Sequence, residues 1–79
     1  MSEEMKKAIA YVKENKIWTD AEELRAIERI ENFRCSIDYA DETIANDIAD
    51  LMEEYSAEND LPEGWWEEEM SVDDIFVKL

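Results

Sequence analysis

The feature that most limits the fold is how rarely this chain breaks its own backbone pattern. In 79 residues there is one glycine, Gly64, and one proline, Pro62. The turns that join strands draw heavily on both residue types, so an all-β fold has too few places to turn. Helices remain. Apolar residues make up 46% of the chain, an ordinary share for a globular domain, so such helices have a core to build. The expected fold is all-α: a small bundle of three helices plus a short C-terminal helix or irregular tail, one domain over residues 1–79.

Start and stop signals place the helices. Ser2 can cap a first helix over residues 3–15, with Glu3 and Glu4 at its positive end and Met5, Ala8, Ile9 and Val12 on one stripe. Thr19-Asp20-Ala21-Glu22 fits a capping box, with Trp18 before it as a staple. The apolar set of this second helix is Leu24, Ile27, Ile30 and Phe33, with Ala26 on the same broad side and Ile37 beyond. So wide a face predicts a helix packed against two others. The pattern slips between Cys35 and Asp41, where Asp38 and Asp41 are both acceptable caps. The third helix, to Glu58, carries the clearest apolar arc: Ile44, Ile48, Leu51, Met52 and Tyr55. Ile48 and Leu51 sit mid-stripe and are expected to be buried. Asn59 can end this helix, and Leu61-Pro62 confirms the break. Ser71 is a candidate cap for a short final helix holding Ile75, Phe76 and Leu79; a strand over the last five residues is the alternative.

Charge divides the chain unevenly. Residues 1–34 carry seven basic and eight acidic side chains, whereas residues 35–79 carry fifteen acidic ones and a single base, Lys78. Nearly all of the net charge of −15 therefore lies in the second half. Nucleic acid and anionic lipid repel such a surface; a basic protein surface or a cation attracts it. No apolar run approaches the ~20 residues of a membrane span. The lone Cys35 and the absence of an export signal suit the cytoplasm.

Most catalytic chemistry lacks its residues. With no histidine there is no Ser-His or Cys-His nucleophile pair. With Gly64 as the only glycine there is no phosphate loop. Cys35 reads as a buried structural thiol with Arg34 as its only basic neighbour. A twelve-residue calcium loop started at Asn59 puts Gly64 in the right place but Leu61 and Met70 where oxygen ligands belong. Paired carboxylates remain for acid–base work, but a domain this small has little room for a water-excluding cleft. The chain is read as a non-enzyme without cofactor or dedicated metal site.

The carboxylates of the third helix are the candidate site. Asp47, Asp50, Glu54 and Glu58 stack at steps of three and four residues with no cation between them. Like charges at this spacing each cost a few tenths of a kcal/mol. The first two helices mix signs and avoid that cost. The plain reading of such a run is a solvated face; the functional one is a surface that docks on a basic partner. Glu3 and Glu22, with neighbours and a cap of their own to serve, are expected to lie apart from it. Trp65 and Trp66, followed by Glu67 and Glu68, form the second candidate. They read either as volume in the core or as an aromatic anchor in an acidic ring.

In charge, size and lack of catalytic residues the chain is similar to the broad class of small nucleic-acid-mimicking inhibitors that phages and mobile elements use against host defence nucleases. The similarity is one of composition and covers the acidic half. It implies a stoichiometric inhibitor or adaptor that blocks the nucleic-acid groove of a basic partner. The alternative is a structural interaction module, a homodimer or a subunit, whose charge serves solubility only.

Overall fold

The structure, a computed structural model, describes residues 2–33 and 35–79. Among these residues there are five α-helices, one 3-10 turn and no strand: α1 (Glu3–Asn15), α2 (Asp20–Phe33), α3 (Ile37–Ala40), α4 (Glu42–Glu58), the 3-10 turn Trp65–Glu68 and α5 (Val72–Lys78). The all-α class is as expected. Beside the three longer helices and the short C-terminal helix α5, the packing includes a further short helix, α3, that periodicity does not reveal.

Local chemistry sets each boundary. Ser2 Oγ accepts from the Met5 N–H at 3.1 Å and opens α1. Asn15 closes it, its amide donating to the Tyr11 carbonyl at 2.8 Å. Thr19 Oγ1 accepts from the Glu22 N–H at the head of α2. Asp41, rather than Asp38, caps α4 by accepting from the Ile44 N–H at 3.3 Å. The slip in the pattern is a separate single turn, α3, headed by Ser36. Asn59 ends α4 and donates back to the Tyr55 carbonyl at 2.9 Å. Ser71 and Asp74 form a reciprocal capping box that starts α5, so the tail is helical. Between α4 and α5, Gly64, at φ 75°, makes the left-handed turn into Trp65 that a side chain would strain.

The core is one cluster. Met5, Ala8, Ile9 and Val12 of α1 meet Ile44, Ile48, Met52 and Tyr55 of α4, and Ile37, Trp66, Ile75 and Phe76 close the ends. α1 packs most extensively on α4, while α3 touches α2, α4 and α5. Two expectations are corrected here. Ile48 is fully buried, but Leu51 is only half-buried at the edge of the cluster; Ile44 and Met52 fill the centre instead. The face of α2 is not sandwiched between two helices. Ala26 is buried and Ile30 half-buried, yet Leu24 and Ile27 are exposed. α2 packs chiefly on the short α3, which is too small to cover so wide a stripe. The side chain of Phe33 lies outside the described residues.

Tertiary hydrogen bonds tie the tail to the rest. The Asp73 carboxylate accepts from the Ile37 N–H at 2.7 Å, and Glu69 accepts from Ser2 through both its backbone N–H and its hydroxyl at 2.7 and 2.9 Å. Those bonds hold the Glu69 carboxyl below its usual range. Cys35 is a half-buried free thiol rather than a buried one, with its sulfur 4.0 Å from the Arg29 carbonyl; Arg34 lies outside the described residues.

Candidate functional site

α4 fixes the position of every carboxylate in the candidate line. Its apolar arc packs against α1, so the acidic residues that flank the arc on one side stay at or near the surface. Asp50, Glu54 and Glu58 are exposed and Asp47 is half-buried. Burial, and then the charges of Asp50, Glu22 and Asp41, raise the Asp47 carboxyl above the usual carboxylate value. One end of the line is therefore a meeting of four carboxylates from three places in the chain: the head of α2, the cap of α4 and two turns of α4 itself.

The other end borders α1. Tyr11 packs against Tyr55 with ring centroids 5.7 Å apart. Hydrogen bonding to Glu54, burial, and the charges of Glu54 and Glu58 push the Tyr11 hydroxyl up to about 12. Tyr55 points the other way and donates to Glu4 at 2.7 Å; burial and that carboxylate raise it to about 12 as well. Both phenols stay neutral at physiological pH and serve as donors beside the acidic line. Among the described residues, Lys6 pairs with Glu3, and Lys16 with Asp20 and Glu23, away from these four carboxylates.

The remaining acidic residues of α4 do not join one face. Glu53 is half-buried on the far side of the helix, where it accepts from the Trp66 indole N–H at 2.9 Å. Trp66 is only 2% exposed and belongs to the core. Trp65 is half-buried against the same cluster and donates its indole N–H to Ser56 Oγ, which donates in turn to the Met52 carbonyl at 2.7 Å. With both indoles packed and both N–H groups used, the pair fastens the tail to α4 and leaves Trp66 no surface to present. Glu67 and Glu68 are exposed on the 3-10 turn that carries the two tryptophans.

The structure thus keeps Asp47, Asp50, Glu54 and Glu58 on one side of α4, with α2 near one end and α1 near the other, and adds three residues that periodicity did not. Asp41 is added as a cap that also acts on Asp47, and Tyr11 as a neighbour across the helix pair. Glu22 was expected to stand apart and instead acts directly on Asp47. Only the expected helical fold linked Glu22 to its own cap; its place beside α4 is a long-range contact with no local signal. Among the described residues no group of three or more Cys, Asp or Glu is arranged to hold a metal ion, and no helix is long and apolar enough to cross a membrane. Comparison with known protein families, with curated proteins and with solved structures finds no match to this chain.

Proposed function

We propose that the protein is a non-catalytic ligand for a basic protein surface, and that its target is a groove that otherwise holds nucleic acid. The observation that carries this reading is the crowding at Asp47. A half-buried carboxylate with three like charges acting on it is a cost to folding. A lysine at any of those positions would relieve it. A basic partner relieves it too, by supplying the missing cations on binding.

The spacing supports a mimic. Steps of three and four residues along a helix put carboxylates ~4.5 to 6 Å apart along the axis. Duplex DNA carries one charge per ~1.7 Å of its axis, so the helix offers a sparser line of the same sign. Arg and Lys side chains are long enough to adjust to that difference. Electrostatic docking of this kind speeds association and weakens steeply with salt.

The test begins with capture of partners from a host lysate at low and at high salt. The partner recovered only at low salt is then titrated with Asp50→Lys/Glu54→Lys. Like charges placed across an interface cost several kcal/mol, and each ~1.4 kcal/mol is tenfold, so binding should fall by about a hundredfold or more. The control is Glu3→Lys/Glu14→Lys, on the solvent side of α1 opposite the buried Met5 and Val12. It makes the same change in net charge and should spare binding. Equal loss in both variants would reduce the effect to overall charge, and full affinity in the first would end the proposal.

A further inference from the structure

α2 presents an apolar stripe to solvent. Asp20, Leu24, Ile27 and Glu31 recur at i, i+4, i+7 and i+11, the spacing of one helix face, and all four are exposed. Leu24 keeps 56% of its surface and Ile27 37%. Beside Ile27, α5 supplies Phe76 and Val77, and with Leu79 and Glu23 these residues line a groove of about 320 Å³. Val77 is 80% exposed at its lip. A second hollow of about 140 Å³ runs on from the same Phe76 and Val77 to Ile30 and Ile37. Single exposed aliphatic residues need no explanation, but a continuous groove of them marks an interaction surface.

Charge decides what covers it. The stripe ends on a carboxylate at each side, Asp20 and Glu31, ~16 Å apart along the helix axis. Glu23 at the mouth of the groove is held by Lys16 and Asp73 in the inner hollow by the Ile37 N–H, so the charge offered to a partner is that at the ends of the stripe, where the Asp20 side chain is 97% exposed and only loosely held by Lys16 at 3.8 Å. A second copy of the chain would bring the same carboxylates and a further −15 against its own kind. An anionic surface of any sort meets the same repulsion. The complementary shape is a helix with aliphatic side chains one turn apart and Lys or Arg one turn further out at both ends, laid into the groove as amphipathic helices are.

We propose that the α2–α5 groove is a docking site for a basic amphipathic helix of a partner protein. It is separate from the acidic line of α4. Glu22, which acts on Asp47, is two residues from Leu24 and so lies on the other side of α2. The two surfaces therefore fail or hold independently.

The probe is a fluorescein-labelled Lys/Leu amphipathic peptide about four helical turns long, with a Glu/Leu peptide of the same pattern beside it. Affinity is read by anisotropy in about 0.15 M salt, and the contact surface by amide shift changes in the unsubstituted protein. The Lys/Leu peptide should shift residues of α2 from Leu24 to Glu31 and the end of α5, and the Glu/Leu peptide should not bind. Leu24→Gln/Val77→Gln, two exposed positions where Gln leaves the fold intact, should weaken binding about tenfold or more. Asp50→Lys/Glu54→Lys should weaken it only by the smaller amount that general charge supplies. Unchanged affinity in the glutamine variant, or shifts confined to α4, would overturn the groove while leaving the acidic line standing. Equal binding of the Glu/Leu peptide would overturn the role of the carboxylates. A dimer in sedimentation that Leu24→Gln dissociates would show a second copy as the occupant and overturn the proposal.

Discussion

Replacing Ile48 by Ala should be among the most damaging single changes in the molecule, and the structure gives its size. Ile48 is 0% exposed at the middle of α4, inside the cluster formed with α1. The substitution removes three carbon groups, each worth about 0.8 kcal/mol when buried, or about 2.4 kcal/mol together. The space left behind cannot be filled by solvent and adds a cavity cost, bringing the loss to about 3 to 4 kcal/mol. Domains hold about 0.05 to 0.15 kcal/mol per residue, which for this chain is about 4 to 12 kcal/mol in all. Each kcal/mol moves the melting point of a domain this size by about 4 to 8 °C, so a drop of at least 12 °C is expected. Leu51→Ala removes the same amount of carbon from a half-buried edge position. About half of the transfer energy is lost there, some 1.2 kcal/mol, with little cavity because water can enter. Urea melts of both variants, followed by helical circular dichroism, measure the difference directly. A Leu51→Ala loss equal to or larger than that of Ile48→Ala would refute the placement of α4 in the core.

Two further expectations concern pH. The Asp47 carboxyl is raised in the folded protein by burial first, then by Asp50, Glu22 and Asp41. An acid raised on folding costs stability at neutral pH; the cost fades as pH falls through the folded value and is gone below the unfolded one, near 3.8. Asp47→Asn should therefore be more stable than the unsubstituted chain at pH 7, with the gap closing as pH approaches 4; a gap independent of pH would contradict the crowding at that site. Tyr55 follows the same rule in a higher pH window, since burial and the Glu4 carboxylate raise its hydroxyl to about 12. Its contribution is complete below the unfolded value near 10 and is lost as pH rises through about 12, so Tyr55→Phe should flatten the alkaline limb of the stability curve, and phenolate absorbance should show the delayed ionisation.

Most of the helical outline was readable because helix ends are local. Ser2, Asn15, Thr19, Asn59 and Ser71 each act within four residues of themselves, so the sequence carries the whole signal. α3 was missed because four residues are barely one turn and give periodicity nothing to repeat. The exposed flank of α2 shows a different limit. Periodicity says which residues share a face, and it says nothing about whether the rest of the chain is large enough to cover it. Leu24 and Ile27 keep their helical pattern and lack a neighbour.

The acidic line was legible for the same local reason, since Asp47 to Glu58 lie on one helix. What surrounded it was not. Glu22 reaches Asp47 across two connections, Tyr11 reaches Glu54 across two helices, and Glu53 is drawn to Trp66 by a tail whose course depends on Gly64. These are products of tertiary packing, and a sequence reading ordered by periodicity assigns such residues to the nearest local duty. Trp66 shows a choice the sequence leaves open, between core volume and exposed anchor, and packing decides for the core. Three glutamates follow it in sequence, yet its neighbours in space are the buried side chains of the core.

The pairing of α1 with α4 also orders events while the chain is being made. α1 is complete at Asn15, but the helix that covers its apolar side ends at Glu58, 43 residues later. At ~5 to 20 residues per second, ribosomes need about 2 to 9 s to supply that cover. Over the same interval an isolated helix of 13 residues is too short to persist in water. The nascent α1 therefore stays marginal, its Met5, Ile9 and Val12 without their cover, until α4 is available and the two close together as a unit.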